Sequence, residues 1–226
     1  MLDALAHDLC SPTAAIKVTA SRLRDDDIEW TPDQAQQSLA IIEEEVDRLN
    51  ATIRQLLDLS RIRAGRIVRH IQPTFLSDVV EQAVASRSSQ LRPVEVQIHD
   101  GLTVLVDQAL LTRAVVNLVA NALKHGGAKC AVRVVVVGRE DRVELSIVDR
   151  GPGIPHVDRR RIFERFTQLG TGDGSGSTGV GLGLAIADGF VRAMDGTIEV
   201  DDTPGGGTTM TIVLPSGAGS TKFEPT

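Results

Sequence analysis

Residues 110–127, LLTRAVVNLVANALKHGG, carry two periodicities at once. Leu111, Val115, Leu118 and Ala122 recur at steps of 4, 3 and 4, the apolar stripe of a helix built to be buried. Asn117, Asn121 and Lys124 follow at i, i+4 and i+7, so three polar side chains line an adjoining stripe of the same helix. Amide oxygens suit Mg2+, a hard ion that takes few protein ligands and keeps several waters, and an ammonium suits phosphate. Taken alone, the pattern also fits a buried helix with polar edges. The sequence on either side decides between the two.

Downstream, VDRGPGIP (148–155) sets Asp149 at the end of a β-rich run, with Gly151 and Gly153 just after it. Asp, Gly and Pro favour an ordinary turn, but a buried aspartate at a strand end also suits the exocyclic amine of adenine. RIFERFTQ (161–168) then supplies an amphipathic helical turn, and LGTGDGSGSTG (169–179) is too rich in Gly and Ser to be core and reads as a mobile lid. GVGLGLAIADGFVRAMDG (179–196) places Gly179, Gly181 and Gly183 at a helix start, where bare backbone N–H groups and the helix dipole favour phosphate. A dinucleotide-binding reading of these glycines fails, because that motif needs a strand directly before it.

Upstream the rhythm is purely helical. Leu39, Ile42, Val46, Leu49, Ile53, Leu56 and Ser60 alternate steps of 3 and 4, an a/d heptad seam. Leu2, Leu5, Leu9, Ile16, Ala20 and Leu23 keep the same rule, with Pro12 in the missing step. Between the two runs, RDDDIEWTPDQ (24–34) ends one helix and starts another. Two helices joined this closely form an antiparallel hairpin, and a two-sided seam on so few residues calls for a second copy and a four-helix bundle.

In the first helix, LAHDLCSPTAAI (5–16) puts His7 beside Asp8, Ser11 one turn on, and Pro12 where it cannot donate to the Asp8 carbonyl. The seam places His7 on the outer side of the helix. Asp8 can take a hydrogen bond from one ring nitrogen and leave the other lone pair free to attack, although a solvated surface histidine fits the local pattern as well.

After RIRAGRIVRHIQPTF (61–75) the chain changes to short strands, expected at 94–98, 103–106, 132–137, 143–148, 197–200 and 208–214, with helices at about 76–90, 107–125 and 183–194. The expected class is α+β: a helical hairpin over residues 1–66, an α/β sandwich with a mixed sheet and helices on one face over 67–215, and a flexible tail over 216–226. With 226 residues, 42% of them hydrophobic and a net charge of −6, the chain has no apolar run long enough for a membrane span and is a poor general binder of nucleic acid. Cys10 and Cys130 stand far apart in no metal-ligand spacing, which points to a reducing, cytoplasmic setting.

Taken in order, these segments resemble the transmitter module of bacterial sensor histidine kinases. LAHDLCSPTAAI is similar to the H box, NLVANALKHG to the N box, DRGPGI to the first G box, IFERF to the F box, and GVGLGLAIADGF and GGGTTMTIVLP to the later glycine boxes. The wording of SRLRDDDIEWTPDQ, IIEEEVDRLNATIRQLLDLSRIRAG and DTPGGGTTM most resembles the potassium-sensing KdpD type. The resemblance implies a dimeric antiparallel four-helix bundle followed by a Bergerat-type ATP-binding sandwich. It further implies that His7 accepts the phosphoryl group, that Asp8 orients it and that Ser11 positions a water for the reverse reaction. Asn121 and Asn117 would hold Mg2+; Lys124, His125, Asp149, Gly151, Gly153, Gly179, Gly181 and Gly183 would line the ATP site, and Arg165 would reach the γ-phosphate. In ATP-hydrolysing relatives the position of Asn117 is commonly a glutamate that activates water; an amide cannot remove that proton, so the pocket reads as one that holds ATP for transfer. The implied partners are a second copy of the chain and the receiver domain of a response regulator, with any membrane attachment through a sensor region absent from this chain. Departures from the family pattern are Cys10 for a basic residue, Ser11 for threonine, Thr13 for leucine and Gln168 for arginine. The competing account is a dimeric nucleotide-binding scaffold without transfer activity; a third, a steady ATPase, is opposed by Asn117.

Overall fold

The structure, a computed structural model, describes residues 2–25, 30–86, 93–98, 101–127, 131–167 and 181–216. The expected lid at 169–179, with Gly179, and the tail from residue 217 lie outside the described residues, as does Gln168.

Helices α1 (Leu2–Leu23) and α2 (Pro32–Arg63) pack against each other along the hairpin. Thr31 starts α2 with a reciprocal cap: its hydroxyl accepts from the Gln34 N–H, the Gln34 side chain accepts from the Thr31 N–H, and Pro32 occupies the first turn, where no donor is missed. Trp30 closes the connection by donating its indole N–H to the Arg22 carbonyl at 3.3 Å, with the Arg22 guanidinium 6.0 Å over its ring. Pro12 is buried and α1 runs through it unbroken. The seam divides into two rows: Ile42, Leu49 and Leu56 are half-buried, while Leu39, Val46 and Ile53 keep 54%, 40% and 42% of their surface exposed.

The second unit holds a small antiparallel pair, β1 (Gln72–Phe75) with β3 (Thr103–Val106), and a five-stranded mixed sheet. In that sheet β2 (Val94–Ile98) runs parallel to β4 (Val132–Gly138), followed by β5 (Arg142–Val148), β7 (Thr208–Pro215) and β6 (Thr197–Asp202), all antiparallel to their neighbours. Register lines up Val134, Ile147 and Met210, and beside them Val136, Leu145 and Ile212, as continuous rows on one face. That face is buried under α3 (Leu76–Ala85), α4 (Gln108–His125) and α5 (Gly183–Ala193), whose own apolar stripes supply Val79, Leu111, Val115, Leu118, Ile186 and Phe190. The expected strands all form. β1 was not expected, since Pro73 and the short run conceal it, and the helix expected over 76–90 ends at Ala85 within the described residues. The tail was expected from residue 216, but Ser216 is still tied down, its N–H donating to Asp141 and its hydroxyl to Glu140.

The segment that follows the hairpin is held to the second unit by a buried carboxylate. Asp107, 5% exposed, caps α4 by accepting from the Leu110 N–H at 3.1 Å and holds the connecting segment by accepting from the His70 N–H at 2.8 Å.

Candidate functional site

α4 carries the polar stripe as the spacing requires: Asn117 and Asn121 are half-buried and Lys124 is exposed, while Leu111, Val115, Leu118 and Ala122 are buried. Asn117 donates its amide N–H to the Arg113 carbonyl at 3.0 Å, which leaves its oxygen aimed across at α5. A Cβ on Gly183, the first residue of α5, would stand 3.4 Å from that oxygen. The glycine therefore keeps the rim of the α5 N-terminus open in front of an amide oxygen. Gly181 adjoins it, with its carbonyl accepting from the Phe166 N–H at 3.0 Å, so the F-box segment is tied to the same rim.

Asp149 follows directly on β5 and is 6% exposed. Its Oδ1 accepts two backbone N–H groups, from Gly151 at 2.8 Å and Thr208 at 3.0 Å, while its own N–H donates to the Thr208 carbonyl at 2.9 Å. Oδ2 has no protein partner among the described residues. One oxygen is thus fixed by the protein, and the other can accept from a ligand donor such as an exocyclic amine. Gly207 brings the strand carrying Thr208 this close: its φ is +112°, and a Cβ would run into the Asp149 carbonyl oxygen. Gly151 packs over the His125 carbonyl and Gly153 lies beside Gly207, so the loop after β5 is stacked between the end of α4 and the start of β7. Arg159 anchors the far end of that loop by donating to the carbonyls of Ile154 and Val200 and pairing with Asp202 at 2.6 Å.

His125 ends α4. Desolvation lowers its pKa below the ordinary value, the Lys124 charge lowers it further, and Asp149 works in the opposite direction. The ring is therefore neutral at neutral pH, despite its exposed edge. Arg165 is exposed just after the short 3₁₀ turn Arg161–Phe163, on the segment joined to Gly181. The structure thus brings Asn117, Asn121, Lys124, His125, Asp149, Gly151, Gly153, Gly181 and Gly183 around the C-terminal half of α4. His7 and Asp8 lie in α1 on the separate hairpin, and Ser11, one turn on, is exposed. The nearby Thr13 hydroxyl donates to the Leu9 carbonyl at 2.6 Å.

Among the described residues no cluster of three or more His, Cys, Asp or Glu side chains could hold a metal ion. The Asn117 amide oxygen, with Asn121 one turn on, instead fits a magnesium ion that takes most of its ligands from phosphate and water. The resemblance placed the run GGGTTMTIVLP among the glycine boxes, but sequence reasoning gave no role to Gly207 or Thr208, because that role depends on pairing with Asp149, 59 residues before Thr208.

Residues 106–218 match the histidine kinase-, DNA gyrase B-, and HSP90-like ATPases, and residues 1–65 match the His Kinase A (phospho-acceptor) domain. The chain is 39% identical over 222 residues to the sensor protein KdpD of Mycobacterium tuberculosis, an alignment that covers 95% of this chain and 25% of that protein. It thus spans about a quarter of the length of that relative. The fold is shared with the histidine kinase AdeS of Acinetobacter baumannii (TM-score 0.70, 20% identity, 93% of this chain and 98% of that chain). It is also shared with the histidine kinase ThkA solved in complex with the response regulator protein TrrA (TM-score 0.70, 19% identity, 96% of this chain and 61% of that chain). With a phospho-acceptor hairpin followed by an ATPase sandwich, this chain belongs to the histidine kinase family.

Proposed function

We propose that this chain is an ATP-dependent protein histidine autokinase that phosphorylates His7 and hands the phosphoryl group to an aspartate of a response regulator. The observation that carries the reading is the split use of Asp149: Oδ1 is saturated by Gly151 and Thr208, and Oδ2 is left for adenine, at the end of the helix that carries Asn117 and Asn121. Lys124, Arg165 and the N–H groups at the start of α5 offset phosphate charge. Bound Mg2+ would be held through the oxygens of Asn121 and Asn117, and it supplies charge neutralisation on the phosphates.

In the transfer itself, one imidazole nitrogen of His7 attacks the γ-phosphorus in line. A P–N bond forms as the bond to the β–γ bridging oxygen breaks, and ADP departs. Asp8 accepts the proton of the other ring nitrogen and holds the attacking tautomer. Ser11, exposed one turn along, positions water for removal of the phosphoryl group. A response regulator is the proposed acceptor because a protein of this fold has been solved with one. The site works on cytoplasmic ATP, and the relative's greater length leaves room for a membrane-bound sensor region outside this chain. Among the described residues no helix is long and apolar enough to cross a membrane.

Incubation with γ-labelled ATP and Mg2+ tests the reading. Acid-labile, alkali-stable label that vanishes in His7→Gln is expected; nucleotide binding without label would establish a scaffold, and steady phosphate release a simple ATPase.

A further inference from the structure

We propose that Asp58 of the stem and Arg113 of the nucleotide domain form a releasable latch, which must open before the domain can serve His7. Asp58 lies on α2 and is 5% exposed, a carboxylate buried on a helix that is otherwise covered on one side only. Its ion-pair partner is Arg113 on α4, whose guanidinium also lies 5.0 Å over the ring of Phe190 on α5. One guanidinium thus joins three helices and both domains. Around it, Ile62 fills the space that Gly189 leaves on α5: a Cβ there would stand 2.8 Å from two of the isoleucine carbons. Arg69 continues the contact by donating to the Ala193 carbonyl at 2.9 Å and pairing with Asp195 at 3.3 Å.

This docking holds the domain at the base of the stem. At ~1.5 Å per helical residue, Ile62 lies ~45 Å from the start of α2, whereas His7 lies ~24 Å from the end of α1 at the same turn, a difference of ~21 Å along the axis. The phosphate-facing end of α5 at Gly183 is only ~9 Å from Gly189, so even an α5 parallel to the stem falls short of the level of His7. In-line transfer needs the reacting atoms within ~3.5 Å, so the domain must leave this seat.

The latch is built to let go. Arg113 is shifted below its ordinary pKa by burial first and by the Arg54 charge next, so α2 both attracts and repels it while it stays protonated at neutral pH. Asp58 is buried but the Arg113 side chain keeps 39% of its surface exposed, so the pair gains little net stability: both ions recover water when they separate, while removing Arg113 strands the Asp58 charge. Loss of either charge therefore favours undocking and leaves each domain able to fold.

The gating half of this proposal rests on the kinase reading; the docking half does not. Spin labels on Gln37 of α2 and Glu199 of β6, in the full chain with Cys10 and Cys130 replaced by serine and diluted with unlabelled chain, report the interdomain distance without any nucleotide. Asp58→Asn and Arg113→Gln should each broaden a narrow distribution, and the exchanged pair Asp58→Arg with Arg113→Asp should recover part of it. A distribution in Asp58→Asn equal to that of the unaltered chain overturns the latch. With saturating ATP, Asp58→Asn should label His7 about threefold faster or more at unchanged nucleotide affinity; a freed domain with an unchanged or slower rate overturns the gating. No label even in the unaltered chain would count against the kinase reading and leave the distance result standing.

Discussion

Asp149 and Thr208 hold each other by two hydrogen bonds, the carboxylate accepting the threonine N–H at 3.0 Å and the aspartate N–H donating to the threonine carbonyl at 2.9 Å. The threonine works through its backbone, so in the proposed site the aspartate is the side chain that adenine would meet. In Asp149→Asn the amide oxygen can keep the two backbone donors, but an N–H then replaces the open oxygen and meets the adenine amine donor to donor. Losing a hydrogen bond to a charged group costs about 1.5–3 kcal/mol, so ATP affinity should fall about 10- to 150-fold with the fold retained. Calorimetric titration of the variant measures this, and affinity within threefold of the unaltered chain would remove Asp149 from the site.

Two neighbouring glycines make opposite demands. Gly206 has φ +104° with nothing within 4 Å of a Cβ, whereas Gly207 has φ +112° and a Cβ that would lie 2.7 Å from the Arg150 Cα. Gly206→Ala should therefore cost only backbone strain, about 1–3 kcal/mol. Gly207→Ala adds a collision with the chain that holds Asp149, so it should unfold at a lower temperature than Gly206→Ala and bind nucleotide poorly. Thermal scans of the two side by side check the order; equal melting temperatures would contradict the packing.

The hairpin, the buried face of α4 and most of the sheet were legible because each repeats a local period over many residues. Leu111, Val115, Leu118 and Ala122 declare their helix face wherever the rest of the chain lies. What escaped depends on pairing at long range. β1 is four residues with a proline, and only Val104 and its neighbours across the ladder make it a strand. Asp58 and Arg113 stand 55 positions apart on different helices, and nothing in the sequence joins them. Asp107 looked like the first residue of α4, yet its carboxylate divides its two oxygens between capping that helix and holding His70.

His125 makes the site sensitive to acid. Its folded-state pKa lies below the ordinary 6.5, chiefly through desolvation, so the unfolded chain takes up the proton first as pH falls. The stabilisation that goes with the neutral ring is complete above pH 6.5 and is lost as pH drops from there through the folded-state value. Denaturant unfolding at pH 7.5 and pH 5.0 should show a smaller acid loss in His125→Gln than in the unaltered chain. An imidazole resonance titrating at or above 6.5 in the folded protein would reverse the expectation.

Half of the α2 seam stays open to solvent among the described residues. Ile42, Leu49 and Leu56 are half-buried, but Leu39, Val46 and Ile53 in the alternate row stay exposed at 54%, 40% and 42%. Full burial of such side chains is worth about 1.5–3 kcal/mol each, so three of them, doubled by symmetry, are enough to drive association of two hairpins. Val46→Asp with Ile53→Asp would place two charges in that contact and should shift the protein from dimer to monomer at micromolar concentration in sedimentation equilibrium. Replacing Val68 by aspartate, a position 73% exposed and off the seam, should leave the dimer intact. A dimer that survives both seam charges would mean that the hairpins pair through some other face, and the alternation of exposure along α2 would need a different cause.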